Sequence, residues 1–422
     1  MGTRRILGDI FYVLPNTNLL KPDPLINLVL NTQIYLDYAA TTPMAPEAAA
    51  AMGKCLTLEG DFANPASLQH GFGERAHALI EEARSDIAHI LKCKASDLVF
   101  TSGATEANNL AIKGIALGEF PRGSMGTGHN HIITSATEHK AVLDTCKYLE
   151  GLGFTVTYLR PDHQGIISVD AVLAALTDQT LLVSLMHVNN ETGVIQAIDA
   201  IAHALKEKNL FFHVDAAQSA GKISIDLTQT PIDLLSISAH KLYGPKGIGC
   251  LYVRNRKQIR LTPLMQGGGQ EYGLRPGTLP THQIVGMATA LKMAHDLMSS
   301  DYQHSQHLAQ LLTTQFMQLD GVQFNGDQVN KLPSIINVSF ADVGADSLLI
   351  ALRNQLAIAS GSACNTGTIE ASHVLRGMGI EGDRLYGAVR ISLGRYTTEA
   401  DIQQAGRHVC AAVTHLRQLA LE

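Results

Sequence analysis

The sequence lacks a strong excess of basic charge. Its 422 residues include 32 lysines and arginines against 38 aspartates and glutamates, and the formal net charge is -6. Without a basic field, binding to nucleic acid or to an anionic membrane surface is not expected. No run of about 18 apolar residues occurs, so the sequence predicts no membrane-spanning helix. A small-molecule substrate or a protein partner fits this charge balance better.

Cysteine is scarce, and the few residues present are widely scattered. The chain has six cysteines and no C-x-x-C pair, which argues against a zinc ribbon, any compact metal site and a disulfide scaffold. Scattered, unpaired cysteines indicate a reducing compartment, and we expect the protein to be located in the cytoplasm. The phosphate-binding motif G-x-x-x-x-G-K-S/T of nucleotide enzymes is also missing, and the G-x-G-x-x-G spacing occurs at residues 377–382, where no predicted strand precedes it as a dinucleotide site requires.

The first 33 residues differ in character from the rest of the chain. Arg4 and Arg5 precede a short apolar stretch that Asp9 interrupts, and three prolines follow. A secretory signal has an uninterrupted apolar core, and a transit peptide is rich in serine, whereas this segment has no serine. We therefore predict that residues 1–33 form an irregular extension.

Short apolar runs alternate with helix-length segments from residue 97 onward. Most of the runs look like buried strands, and the segments between them include 107–117, 141–150 and 198–206. The alternation of strands and helices along the chain predicts an α/β fold, with a mainly parallel sheet flanked by helices. The predicted strands are 98–101, 131–135, 181–186, 211–215, 234–238 and 248–253.

The pattern changes after about residue 286, where a long helical stretch leads into a mixed region. This region predicts a smaller α+β domain, to which the segment around residues 35–38 can return as a strand. The predicted division is an irregular extension at 1–33, a small domain formed by 34–50 with 299–422, and a large domain at 51–298.

Polar residues follow several of the predicted strands, at the edge of a parallel sheet where ligands gather. Thr101 to Glu106 form a strand-to-helix corner in which Gly103 permits a close approach of the backbone to a ligand. Thr105 can cap the helix that follows, whose free N–H groups favour a phosphate. Corners of this composition are common and usually structural, so this one alone is weak evidence.

Two further strand ends carry a carboxylate and an amine. Asp215 ends one apolar run and can hold a protonated ring nitrogen, and Lys241 follows another. A lysine that is partly desolvated has a lowered pKa and forms Schiff bases, although most single lysines are simply solvated. A phosphate corner, a carboxylate and a lysine together supply the three groups that pyridoxal phosphate requires.

With these residues in place, the sequence resembles the cysteine desulfurases, a branch of the fold-type-I pyridoxal-phosphate enzymes. The resemblance extends from about Ile34 to Arg395 and rests on long, specific stretches. It implies a large domain with a mainly parallel seven-stranded sheet, a smaller α+β C-terminal domain and a homodimer. The matching stretches are YLDYAATTP, NPAS, TSGATEANNLAIKG, TEHKAVLDTC, HVNNETG, HVDAAQS, SAHKLYGPKGIG, GGGQE, RPGT, SGSAC and VRISLGRY.

The resemblance implies a role for each matching residue. Lys241 is expected to hold the cofactor covalently, and Asp215 to pair with its ring nitrogen. His139 is expected to stack on the ring and assist proton transfer, while Arg390 is expected to clamp the substrate carboxylate with its planar fork. Asn190 and Gln218 are expected to face the phenolic oxygen of the cofactor and the substrate. The expected phosphate ligands are Ala104, Thr105, Ser238 and His240, with Thr278 from the second subunit.

Cys364 is expected to decide which reaction follows. It lies in the stretch 359–367, whose small residues and glycines predict a mobile loop. A lone cysteine is more often an inert buried residue, but SGSAC matches the nucleophile segment of the family. The match implies a thiolate that attacks the sulfur of bound L-cysteine, leaving alanine and a persulfide. The other five cysteines are expected to have packing roles.

The physiological sulfur acceptor stays open. The long stretch from Cys364 to Arg390 resembles the housekeeping and nitrogen-fixation class, which implies transfer to an iron–sulfur cluster scaffold and to thio-cofactor and tRNA thiolation pathways. The distal tail that docks the scaffold in that class is expected to be missing. Two other functions remain possible: a selenocysteine lyase or another pyridoxal-phosphate lyase or transaminase-like enzyme, and a non-catalytic adaptor that keeps the fold.

Overall fold

The computed structural model describes residues 33–119, 129–208, 210–360 and 371–421. The strands are β1 (Ile34–Tyr35), β2 (Leu98–Thr101), β3 (His131–Ser135), β4 (Thr155–Leu159), β5 (Thr180–Met186), β6 (Phe211–Asp215), β7 (Leu234–Ser238), β8 (Gly249–Val253), β9 (Val322–Phe324), β10 (Ile335–Phe340), β11 (Leu356–Ala357), β12 (Ala359–Ser360) and β13 (Ala388–Ser392).

The helices are α1 (Pro46–Gly53), α2 (Gly71–Leu91), α3 (Ala104–Glu119), α4 (Lys140–Glu150), α5 (Val169–Ala174), α6 (Ile198–Lys206), α7 (Thr281–Asp296), α8 (Met298–Phe316), α9 (Ala345–Leu352), α10 (His373–Gly377), α11 (Gly382–Tyr386) and α12 (Glu399–Leu419). Three short 3₁₀ turns occur at Ala95–Asp97, Ala239–Lys241 and Gln270–Gly273. Within the described ranges, no helix is long and apolar enough to cross a membrane.

A seven-stranded sheet in the order β2-β8-β7-β6-β5-β3-β4 forms the centre of the large domain. Neighbouring strands pair in parallel except at β8, which runs antiparallel to both β2 and β7. Most of these strands are buried along their whole length, because helices cover both faces of the sheet. The predicted fold class, with its mainly parallel seven-stranded sheet, is confirmed.

The two faces of the sheet belong to different apolar clusters. Side chains alternate along a strand, so Val99 packs with helices α3 and α4 while its neighbour Phe100 packs with α2 and α7. Strand β4 lies at the edge and is only half-buried, and the sequence did not reveal it because it lacks a continuous apolar run. The packing of helices on both faces of the sheet fixes the positions of the strand ends.

A smaller four-stranded antiparallel sheet, in the order β12-β13-β10-β9, forms the second core with α8 and α12. Strand β1 pairs in parallel with β11, so the segment that precedes the large sheet returns to the C-terminal region. Helix α1 follows soon after β1 and packs against α7. The boundaries of the two domains stay a prediction.

Candidate active site

The carboxyl ends of β5, β6 and β7 and the corner after β2 surround a cavity of about 490 Å³. Most of the residues that the sequence singled out lie on its wall, although they come from distant parts of the chain. The predicted residues that line the cavity are Ala104, Thr105, His139, Asn190, Asp215, Gln218, Ser238, His240 and Lys241.

Three predicted residues do not line this cavity. Arg390 lies next to it, because its Nη1 donates to the carbonyl of the wall residue Asn190 at 2.9 Å. Thr278 lines a separate groove together with Arg84. Cys364, the predicted nucleophile, lies outside the described residues.

Lys241 presents an amine inside the cavity. It ends the 3₁₀ turn that follows β7, and no described group hydrogen-bonds to its Nζ. Burial lowers the pKa of Lys241 to about 8, although the carboxylate of Asp215 acts in the opposite direction. About one tenth of the amine is therefore uncharged at pH 7, far more than for an ordinary lysine, and this uncharged form is the one that a nucleophile or general base requires.

Asp215 is a buried carboxylate held from two sides at the end of β6. Its Oδ2 accepts from Asn108 Nδ2 at 2.7 Å, and its Oδ1 accepts from the backbone N–H of Ala217 at 2.9 Å. Asn108 also lines the cavity, and its buried Oδ1 has no partner among the described residues. Asn108 was not predicted, although it lies in the matched stretch TSGATEANNLAIKG.

The corner between β2 and α3 offers an anion site. Helix α3 begins at Ala104, so the free N–H groups of its first turn lie at the cavity. Gly103 adopts φ +148, and a Cβ on Gly249 of the adjoining strand would lie 2.7 Å from the Gly103 Cα. Two backbones thus approach closely here, and only glycine permits it.

A carboxylate and a guanidinium hold this corner in shape. Glu106 Oε2 accepts from the backbone N–H of Ser102 at 2.7 Å, and Glu106 Oε1 accepts from Arg275 Nε at 3.1 Å. The hydrogen bonds from Ser102 and Arg275 outweigh the effect of burial and lower the pKa of Glu106. The corner therefore keeps its shape through a charged pair that local sequence did not predict.

Two histidines on the cavity wall are uncharged at neutral pH. Burial lowers the pKa of His139, whose Nδ1 accepts from the backbone N–H of Ala141 at 3.1 Å. This contact assigns the proton of the neutral ring to Nε2. Burial, with the nearby Lys241 cation, lowers the pKa of His240 to about 4. A neutral ring can stack on a planar ligand without introducing a further positive charge.

Comparison with known proteins gives one consistent family. The family model described as "Aminotransferase class-V" matches residues 34–405. The curated protein "Cysteine desulfurase IscS" of Vibrio vulnificus strain YJ016 is 49% identical over 386 residues, which cover 92% of this chain and 94% of that protein. The protein of the same name from Shewanella baltica strain OS223 shows the same identity and coverage.

Solved structures agree with these relatives. A structure described as "NIFS-LIKE PROTEIN" has a TM-score of 0.82 and 34% identity, covering 91% of this chain and 99% of its own. One described as "SspA in complex with cysteine" has a TM-score of 0.76 and 40% identity, covering 86% of this chain and 99% of its own. The chain therefore belongs to the aminotransferase class-V family and, within it, to the cysteine desulfurases.

Proposed function

We propose that this protein is a pyridoxal-phosphate-dependent enzyme that converts L-cysteine to L-alanine and retains the sulfur as a persulfide on Cys364. The observation that carries the proposal is the meeting of Lys241, Asp215 and the corner at the start of α3 around one cavity. The relatives support it, because curated proteins at 49% identity bear the name cysteine desulfurase and one solved relative is described with cysteine.

The residues of the cavity fit pyridoxal phosphate. The N–H groups at the start of α3, with Ser238 and His240, would hold the phosphate. Asp215 would pair with the ring nitrogen, and Lys241 would bind the aldehyde carbon. The orphaned Asn108 Oδ1 is a buried polar atom that a polar ligand can satisfy. When bound, the cofactor supplies an electron sink that stabilises negative charge at the substrate α-carbon.

Each side chain then has a task of its own. The Lys241 amine, with a pKa of about 8, takes the α-proton of the substrate. His139, whose neutral ring carries its proton on Nε2, would stack on the cofactor ring when it is bound and would return a proton to the product. The Arg390 guanidinium binds the substrate carboxylate beside Asn190.

The sulfur step balances without an outside oxidant or reductant. The thiolate of Cys364 attacks the substrate Sγ, so one S–S bond forms and the Cβ–Sγ bond breaks. The electron pair of the broken bond passes to Cβ, which takes up a proton and becomes the methyl group of alanine. One cysteine and one protein thiol therefore yield one alanine and one persulfide.

The five described cysteines are poor competitors for this step. Burial raises the pKa of each thiol, so each one is protonated near neutral pH and is a weak nucleophile. The pKa rises to about 12 for Cys93 and Cys146, and it is also raised for Cys55, Cys250 and Cys410.

One incubation tests the proposed activity. Cofactor-loaded protein is exposed briefly to L-cysteine without reductant, and the alanine formed is quantified. The masses of the intact protein and of its peptides are measured by mass spectrometry. We expect equal amounts of alanine and of one added sulfur atom on the peptide that contains Cys364. Absence of alanine, or sulfur on the Cys250 or Cys410 peptide, would contradict the proposal. Alanine from selenocysteine but not from cysteine would favour the lyase alternative.

We further propose a homodimer that delivers sulfur to acceptor proteins, among them an iron–sulfur cluster scaffold. Thr278 supports the dimer, because it lines a groove that is separate from the cofactor cavity of the same subunit. From that position it would contribute to the cavity of a second copy. The name IscS of the curated relatives supports the scaffold as an acceptor. The cytoplasm and the thio-cofactor and tRNA thiolation pathways stay predictions.

Replacement of Arg390 by lysine should raise the KM for cysteine about 10- to 100-fold, since a lysine keeps the charge but loses the two-pronged contact with a carboxylate. The change in kcat should be smaller. Steady-state kinetics on cofactor-saturated protein measure both. Arg75→Lys, at an exposed ion pair with Asp61, is the matched control and should leave KM unchanged. An unchanged KM in Arg390→Lys would remove Arg390 from the substrate site.

A further inference from the structure

Both ends of the Gln218 amide are engaged on the cavity wall. Its Nε2 donates to the carbonyl of Ala39 at 2.8 Å, and its Oε1 accepts from Lys222 Nζ at 3.2 Å. A carbonyl only accepts and an ammonium only donates, so the two contacts impose the same orientation on the amide. The second hydrogen of Nε2 is left available to donate to a ligand in the cavity that Gln218 lines.

Lys222 has an unusual setting for a lysine. No described carboxylate pairs with it, and burial, with the neighbouring Lys241 cation, lowers the pKa of Lys222 to about 7. It borders a small cavity of about 40 Å³ that Asp301 and Arg395 also line, and these two residues pair with each other. A partly buried cation without a counter-ion is costly, and such groups cluster at functional sites.

We propose that Lys222 is a positioning residue that acts on the bound cofactor through the amide of Gln218. The hydrogen bonds run from Nζ to Oε1 and from Nε2 into the cavity, where the proposed partner is the phenolic oxygen of the cofactor. The Lys222 cation polarises the amide and makes Nε2 a stronger donor. The anionic oxygen in turn favours the charged form of Lys222, so the two groups stabilise each other.

This inference rests on the proposed function, and it predicts a spectroscopic change. The visible absorbance of the bound cofactor titrates with pH in the absence of substrate. Lys222→Met removes the cation at similar side-chain length, so the anionic oxygen loses stabilisation and the titration midpoint should rise by about 0.5 to 1 pH unit. Lys222→Arg should restore most of the wild-type midpoint.

Lys331→Met is the matched control. Lys331 also donates to a glutamine side chain, Gln328, at 3.4 Å, and burial lowers the pKa of Lys331 to about 8. Neither residue lines the cofactor cavity. The midpoint should therefore remain at the wild-type value when Lys331 is replaced.

A double-mutant cycle tests the path of the effect. In a Gln218→Ala background, Lys222→Met should produce a much smaller shift, because the amide is gone and only the direct interaction between Lys222 and Lys241 remains. An unshifted midpoint in folded Lys222→Met protein, or an equal shift without Gln218, would overturn the inference. If circular dichroism shows that Lys222→Met does not fold, Lys222→Gln removes the charge and keeps a polar donor. A wild-type protein that takes up no cofactor would instead refute the proposed function.

Discussion

Lys241→Ala should lower the rate of alanine formation from cysteine by at least about 1,000-fold, because one amine is assigned both cofactor attachment and removal of the α-proton. The structure gives the reason for so large an effect. The Lys241 amine is buried with a pKa of about 8, and it lies on the same cavity wall as Asp215. The measurement is alanine production per protomer in cofactor-saturated protein.

The control for this prediction is Lys292→Ala, which removes an exposed lysine 3.9 Å from Asp296 on α7. Its activity should equal that of the wild-type protein. Lys241→Arg keeps a positive charge but should be as inactive as the alanine variant, since a guanidinium stays protonated. Retention of more than one tenth of the activity in Lys241→Ala would reject the assignment.

Cys364→Ser should abolish persulfide formation and lower alanine production by at least about 1,000-fold, because a hydroxyl is a far weaker nucleophile than a thiolate. Substrate binding and α-proton removal do not require this thiol. The absorbance of the bound cofactor should therefore still change when cysteine is added. Rapid-mixing absorbance and alanine assays on the same sample separate the two steps.

Cys410→Ser is the matched control for the nucleophile. Cys410 is half-buried on α12, its Sγ lies 3.7 Å from the carbonyl of Gln315, and burial raises its pKa. Activity should stay within about twofold of the wild-type value, since surface-proximal substitutions of this kind perturb little. Undiminished alanine and sulfide production in Cys364→Ser would favour a lyase that needs no protein thiol.

The large sheet was predictable because parallel strands covered on both faces appear as short apolar runs in the sequence. Five of its strands are buried along their whole length, which left a clear signal between the helices. Strand β4 escaped prediction because it is a half-buried edge strand. The pairing of β1 with β11 joins residues more than 300 positions apart, and no local pattern predicts its register.

The cavity residues at strand ends were also predictable, since Asp215 and Lys241 follow buried runs directly. Their supporting contacts were not. Arg275 and Glu106 are 169 positions apart in sequence, and only the folded chain shows that their ion pair stabilises the corner between β2 and α3. The same holds for Arg390, whose Nη2 donates to Asp37 Oδ1 at 2.8 Å. Such tertiary contacts depend on the packing of distant elements, which composition and periodicity do not encode.

The charges around the cavity suit a doubly anionic ligand. Lys241 and Lys222 have lowered pKa values because burial disfavours their charged forms. The phosphate and the anionic ring oxygen of the cofactor would act as counter-ions and favour the charged forms of groups at the site. Cofactor binding should therefore be accompanied by a change in the protonation of the site.

Mapping the point of cofactor attachment tests the central claim most directly. Cofactor-loaded protein is treated with borohydride, which makes the bond between the cofactor and the protein permanent, and is then digested and analysed by mass spectrometry. We predict one pyridoxyl phosphate group per protomer on the peptide that contains Lys241. Attachment at Lys222 or Lys246 instead, or a protein that stays colourless with added cofactor, would contradict the account.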